Sequence, residues 1–550
     1  MKKNLTVWNL FSVVILAAFA LFIMYPIFLI LYRSVIHGDT GALTLQNFAH
    51  FFAKKFYWGT MVNSLKVTVV STILSAALGL PLAYLMRSVK IKGSSFLNIL
   101  IVISYLSPPF IGAYAWIQML GRQGVITQFL NDTFGLHYGG VYGFAGIVLV
   151  FTLQSFPLVY IYVSGALKNL DNSLNEAAES LGCSRMGRIW KIIVPLVMPT
   201  LLASSMLVFM RVFADFGTPM LIGEGYKTLP VLIYNQFMGE VSGDDGFAAA
   251  ICCIVIGLTI VMFFVQRFLA GRNTYAMTAL KPMAAESLGG LRNILAHLAV
   301  YMVVGLAILP QFVVVYTSFL ATNGGQVFTG GFALQSYDAT LFAKDNDVIW
   351  HTYFLGLCAI AAVLVLGVLI AYLSVRKRNT LNSILDVMTM FPFIIPGSVL
   401  GIAFVFAFNK SPIILTGTAL IMIISFAVRR MPYTVRSSTA ILGNISPSIE
   451  EAAISLGASD MTTFRKITVP MMMPGALSGA IMSWVTIISE LSSSIILYTN
   501  STQTLTVSIY TEVIRGNYGN ASAYATILTV TSILSLLLFY KVTGRRDVSV

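Results

Sequence analysis

The sequence predicts an all-α polytopic membrane protein, about twelve transmembrane helices arranged as two parallel six-helix repeats. Three observations predict it: a chain too apolar for water, apolar runs of bilayer length with basic residues gathered on one side of them, and a segment that occurs twice. Of 550 residues, 57% are hydrophobic and 10% charged. That is too little charge to keep the surface of a soluble domain of this length wet.

The apolar runs each match the thickness of a bilayer core. In the first half they fall near 8–32, 61–86, 97–119, 142–165, 196–223 and 248–268. In the second they fall near 293–319, 351–375, 383–407, 415–436, 471–498 and 521–541. The first begins Met1-Lys2-Lys3, like a secretion signal, but its apolar stretch is too long and lacks a small-x-small cleavage site. It is expected to stay as the first helix.

The net charge of +13 would also suit a nucleic-acid or anion binder. Placement gives it another meaning. Lys and Arg gather outside alternate runs: Lys2 and Lys3; Arg87, Lys90 and Lys92; Lys168, Arg185, Arg188 and Lys191; Arg267, Arg272, Lys281 and Arg292. The series continues through Arg376–Arg378, Arg429, Arg430, Arg436, Arg465, Lys466, Lys541, Arg545 and Arg546. This puts 24 of the 34 basic residues on one face, as the positive-inside rule requires of the cytoplasm. Both termini then lie in the cytoplasm of a multi-pass inner-membrane protein, and no nucleic-acid partner is implied. Cys183, Cys252, Cys253 and Cys358 show no ligand spacing, and the five histidines are scattered. No metal site and no disulfide framework is expected.

The repeat is read directly. Residues 175–199, NEAAESLGCSRMGRIWKIIVPLVMP, match residues 450–474, EEAAISLGASDMTTFRKITVPMMMP, at 14 of 25 positions without gaps. LGLPLAYL at 78–85 and LGVLIAYL at 366–373 give a second match. Each half has six runs, an even number, so both copies keep one orientation and the repeat axis lies along the membrane normal. The halves are 1–268 and 292–550, joined by a cytoplasmic linker at 269–291 that contains Gly289 and Gly290.

Each copy of the longer repeat sits in the cytoplasmic loop between the fourth and fifth runs, at 166–195 and 437–470. Ser173 three residues before Glu176, and Ser448 three before Glu451, fit a capping box. Alanines then favour a helix, and Gly182 and Gly457 supply the left-handed residue that ends it. A second short helix is expected to stop at Pro195 or Pro470. The product is a helix–Gly–helix knuckle, made twice.

Glu-Ala-Ala, a Gly six residues after the Glu, then a basic residue and Pro resemble the EAA motif of ABC importer permeases of type I, in the fused two-half form. The resemblance covers essentially the whole chain. It implies the type I importer fold and coupling helices that dock into two copies of an ABC ATPase. Carried over residue by residue, Glu176, Ala177, Ala178 and Gly182, with Glu451, Ala452, Ala453 and Gly457, would transmit ATP-driven closure to the spans. The chain has no Gly-x-x-x-x-Gly-Lys-Ser/Thr segment, so ATP and Mg are expected on the partner ATPase, and no cofactor on this chain. No catalytic constellation is present either, so the chain reads as a transport subunit and not an enzyme.

Charges inside spans are costly. Arg211 and Asp215 lie in the fifth run and Glu490 in the eleventh, and the 275-residue offset that aligns the knuckles sets Asp215 against Glu490. These three are candidates for the translocation pathway. The competing expectation is that Arg211 and Asp215, four apart, neutralise each other, or that the acids lock spans together. Pro108, Pro109, Pro392 and Pro396 predict kinks in the third and ninth runs. The fused form, DFGTP and the Ser-Glu-Leu-Ser stretch most resemble the ferric iron uptake permeases. In these systems a solute-binding protein outside the membrane delivers the cargo. Fused permeases for thiamine, polyamines, aminoethylphosphonate or sugar phosphate are similar, and a six-plus-six secondary transporter is the alternative of a different class.

Overall fold

In lipid every backbone N–H and C=O must find its partner inside the chain, so apolar runs of this length fold as helices. The computed structural model describes residues 7–37, 41–135, 139–239, 245–270, 285–323, 327–342 and 347–543. Lys2, Lys3, Arg272, Lys281, Arg545, Arg546, the chain ends and most of the expected linker lie outside the described residues.

The first half contains α1 (Val7–Ser34), α2 (Lys55–Ser88), α3 (Ser94–Leu106), α4 (Pro109–Leu120) and α5 (Gly143–Lys168). It continues with α6 (Ser173–Ser180), α7 (Arg185–Ala214), α8 (Gly217–Ile222), α9 (Leu229–Met238) and α10 (Asp245–Ala270). The second half repeats that order. It runs α11 (Gly290–Ser318), a small outer hairpin of β1 (Leu320–Asn323) and β2 (Val327–Phe332), α12 (Val348–Arg376), α13 (Thr380–Ile394), α14 (Gly397–Phe408) and α15 (Ala419–Asn444). Then come α16 (Ser448–Ser455), α17 (Asp460–Ile488), α18 (Ser494–Leu497), α19 (Leu505–Arg515) and α20 (Tyr518–Thr543).

Among the described residues nine helices are long and apolar enough to cross a membrane, eleven if each of two bent pairs is one span. The expected twelve is not reached because α15 carries Arg429, Arg430 and Arg436. The sequence places that run at 415–436 with the arginines at its cytoplasmic end. The helix instead extends to Asn444, so Arg429 and Arg430 stand in its middle. The third and ninth runs are broken, not kinked: α3 meets the stretch from Pro109 at 100°, and α13 meets α14 at 111°. Pro108 and Pro396 stand at the two breaks in extended backbone, where a ring without an N–H costs nothing.

The halves are interleaved. α1 packs on α10 of its own half and also on α13 and α14 of the other, while α11 packs on α20 and reaches across to α3 and α4. Polar contacts reinforce the crossing. Tyr114 of α4 donates to the carbonyl of Tyr518 at 2.6 Å, and Thr317 of α11 and Tyr114 both share Ser522 of α20 at 2.9 Å.

Within each half the closest packing explains the shorter repeat. A Cβ on Gly79 of α2 would lie 2.8 Å from the Val159 Cβ of α5. A Cβ on Gly367 of α12 would lie 2.7 Å from the Thr434 side chain of α15. Glycine is therefore needed at both crossings so that the helix backbones can approach. Gly79→Val and Gly367→Val are each expected to destabilise the protein by about 1–3 kcal/mol through overpacking. Thermal unfolding in detergent reads this, and an undiminished melting temperature in both would contradict the crossing.

Candidate functional site

Two structures stand out from the helical frame: the paired knuckles and the seam where the halves meet. The knuckles fold alike, with corrections to the expected caps. Neither Ser173 nor Ser448 caps its helix; each is the first helical residue. The N-caps are Asn172 and Pro447, without a side-chain cap bond, and the residue before each turns the chain in: Asp171 accepts from the Ser173 N–H at 2.9 Å and Ser446 from the Ser448 N–H at 3.4 Å. A side-chain acceptor two residues upstream closes a tighter ring and wins over the capping box. Glu176 accepts instead from the Asn172 amide at 2.9 Å.

The other end behaves as the sequence predicts. Gly182 and Gly457 have φ of +78° and +91°. Cys183 N–H reaches the Ala178 carbonyl at 2.9 Å and Gly182 N–H the Glu179 carbonyl at 2.9 Å. Ala458 and Gly457 repeat the pattern with Ala453 and Ile454. This paired bonding is a Schellman motif. At the turn Leu181 and Leu456 are 88% and 89% exposed, so each knuckle presents a bare apolar tip. Ala177 and Ala452 are exposed beside it, Glu451 is exposed, Ala178 is half-buried, and Ala453 is buried.

The second knuckle helix does not stop at Pro195 or Pro470. One π-turn at Ile189–Ile193, and its copy at Phe464–Thr468, widens the helix just before each proline. The ring is accommodated and α7 and α17 run on as continuous helices. The second knuckle is also tied down in a way sequence reasoning missed. Arg376, the last residue of α12, pairs with Glu450 at 2.9 Å and donates to the Ile445 carbonyl at 2.6 Å. Lys377 pairs with Asp460 at 2.9 Å, and the Trp8 indole of α1 donates to the same carboxylate at 3.4 Å.

At the seam both α7 and α17 end at the expected acids. Asp215 lies past the end of α7 in extended backbone and accepts from the Thr218 N–H at 2.9 Å. Glu490 lies past the end of α17 and accepts from the Ser493 N–H at 3.2 Å. The two acids thus do the same work at repeat-equivalent places: each holds the start of the short helix that follows, and they are within Coulombic reach of each other. A matching pair of bonds braces the next helix. Leu229 N–H donates to Ser64 and Leu505 N–H to Thr352, both at 2.7 Å.

The counter-charges are not those the spacing suggests. Among the described residues Arg211 makes no ion pair with Asp215; its guanidinium lies over the Tyr105 ring at 4.7 Å. Asp215 lines a cavity of about 10 Å³ with Ser64, Thr68 and Thr228, room for one water. Glu490 is 4% exposed and takes hydrogen bonds from both Arg429 and Arg430. Its backbone carbonyl also accepts from Ser494 and Thr506. Arg429 and Arg430 are the seam residues the sequence reading lost. The signal that finds them is the repeat itself: Pro157 and Pro432 align, and Arg429 then stands opposite Gln154 in the middle of its helix.

The model of the family described as "Binding-protein-dependent transport system inner membrane component" matches residues 75–275 and again 363–546. The chain belongs to this family. This permease is 30% identical over 546 residues to the ferric transport system permease protein FbpB of Actinobacillus pleuropneumoniae, covering 97% of the chain and 78% of that relative. It is 30% identical over 505 residues to the putative ferric transport system permease protein FbpB 1 of Haemophilus influenzae, covering 90% and 78%. Over 39% of the chain it is 28% identical to the molybdenum transport system permease protein ModB of Escherichia coli, of which it covers 93%.

The permease is therefore a multi-pass inner-membrane transport subunit of the ABC importer class, two halves fused in one chain. Its seam chemistry makes a direct prediction. Glu490→Gln leaves Arg429 and Arg430 buried without their carboxylate, an expected loss of about 3–5 kcal/mol. Asp215→Asn removes only a charged cap, an expected loss of about 1 kcal/mol. Unfolding of both variants in detergent should show that order; equal losses would contradict the pairing.

Proposed function

We propose that this permease carries ferric iron into the cytoplasm, delivered by a solute-binding protein on the far side of the membrane and driven by two copies of a separate ABC ATPase. The cargo reading rests on the ferric permeases, similar over almost the whole chain. The drive rests on one observation above the others: the same Schellman-ended helix, with the same bare leucine at its tip, occurs twice on one face. A large apolar side chain held out by a tight turn gains nothing in water; in an apolar cleft on a partner it is buried.

In this reading α6 and α16 are coupling helices, one per ATPase. Glu176 and Glu451 face basic groups of the partner, and Ala177, Ala178, Ala452 and Ala453 allow close approach. Gly182 and Gly457 hold the turn. ATP and Mg bind on the ATPase, whose closure brings the knuckles together and opens the spans outward. The halves are 1–268 and 292–550 with a cytoplasmic linker, and both termini face the cytoplasm. Arg211, Asp215 and Glu490 line the pathway or its gate.

The test is uptake of ⁵⁵Fe by cells carrying the whole system, set beside co-purification of the ATPase. Leu181→Asp with Leu456→Asp should abolish co-purification and cut uptake at least tenfold, with the folded yield of the permease unchanged. Retained ATPase would sink the coupling assignment, and wild-type cells that take up no ⁵⁵Fe would sink the cargo.

A further inference from the structure

The two halves share a fold but differ where they meet. Gln154 and Ser155 of α5 occupy the places that Arg429 and Arg430 occupy in α15, each pair ahead of an aligned mid-helix proline. In the first half the neutral pair is enough. Gln154 donates to the Pro109 carbonyl at 3.1 Å across the break between α3 and α4, and Asp215 holds its helix start without an arginine ion pair. The duplicated junction is therefore built without these arginines, and the fold by itself does not demand them. Arg211 is equally unmatched, since Thr486 stands at its repeat-equivalent place.

The unmatched cations converge from both halves. Arg211 lies on Tyr105, and Tyr105 is within electrostatic reach of Arg430 and Tyr433 as well. Arg429 and Arg430 share Glu490. Three guanidiniums against Asp215 and Glu490 leave one net positive charge in a mostly buried cluster. Hydrogen-bonding capacity is also left over. Glu490 takes one hydrogen bond from each of Arg429 and Arg430, and the Nε–H of both is buried without an acceptor. Gly397 lets the Arg429 guanidinium lie against the α14 backbone, because a Cβ there would run into that guanidinium and lie 2.7 Å from Ser492. Buried guanidinium forks with spare donors match the planar or tetrahedral oxygens of an oxyanion.

We propose that the seam is an oxyanion-binding station, and that ferric cargo passes it wrapped in oxygen-donor anions, phosphate or a polycarboxylate, and not as the bare cation. A lone trivalent cation would meet net positive charge where solvent screening is weak. An oxyanion shell reverses that sign and supplies the acceptors the guanidinium forks lack. The identity of the metal rests on the ferric reading above; the anion site does not.

The full chain in nanodiscs is tested for binding of ³²P-phosphate and of ¹⁴C-citrate, with ⁵⁵Fe uptake measured in cells carrying the complete system. Arg429→Gln, Arg430→Ser and Glu490→Gln together copy the neutral first-half pair and avoid a stranded charge. Saturable binding of at least one anion is expected, at least tenfold weaker in this triple variant and weaker at higher salt. Which anion binds identifies the shell. Should the triple variant not fold, Arg211→Gln carries the test, since that guanidinium rests on a ring, and a several-fold loss is expected. No binding by the wild type, or wild-type affinity in the folded variants, overturns the site. Anion binding without any ⁵⁵Fe uptake by intact cells leaves the site standing and removes iron as the cargo.

Discussion

A helix inside a bilayer can be interrupted only where something other than water takes up the freed backbone groups. Much of this molecule follows from how that is done at four interruptions. At two of them, Pro108 and Pro396 remove the N–H that would need a partner. At the other two, a carboxylate accepts it, the half-buried Asp215 after α7 and the buried Glu490 after α17. A buried acid in turn demands compensation. Glu490 obtains it from Arg429 and Arg430 at mid-helix in α15, where Asp215 does without, and Arg429 in turn requires glycine at 397. One backbone problem thus fixes residues on two other elements, α15 and α14.

The spans and the duplication were legible because both are long-range signals: a run of bilayer length, and 25 aligned residues, survive any local ambiguity. What misled was always local. Arginines end a hydropathy run, so the pattern makes α15 short and puts its arginines in the cytoplasm; a carboxylate 60 residues beyond Arg430, past the end of α17, makes them tolerable inside. Ser173 and Ser448 have capping-box spacing, yet Asp171 and Ser446 close shorter rings and displace them. Pro195 and Pro470 look like stops, but a π-turn just upstream absorbs each ring. Arg211 and Asp215 have ion-pair spacing, but the helix ends between them and the pairing geometry is lost. In each case the pattern was present and a competing acceptor, or a change of backbone, prevailed.

The interleaving of the halves sets how motion can be shared. Because α1 lies on α13 and α14, and α11 on α3 and α4, each broken span is gripped by the opposite half. A rotation of one half cannot leave the other's breaks in place. The contacts thus tie the two breaks to each other across the repeat. Fusion into one chain adds nothing to this grip; it only fixes that unlike halves meet.

That the halves are unlike matters most along α7 and α17. Each is an uninterrupted rod of about 45 Å, with a knuckle at one end and an acid at the other. On the proposed coupling, a displacement at the knuckle arrives at the acid with little loss, except at the π-turn near the cytoplasmic end, where the bonding is loosest. Both knuckles carry that turn. The second is held by Arg376 to α12 and, through Asp460, by Lys377 and Trp8 to α12 and α1. On that coupling a push on the second knuckle is shared with α12 and α1, and its rod ends at Glu490 and its two arginines. The half that carries Arg429 and Arg430 is thus also one whose knuckle is geared to the helices around it.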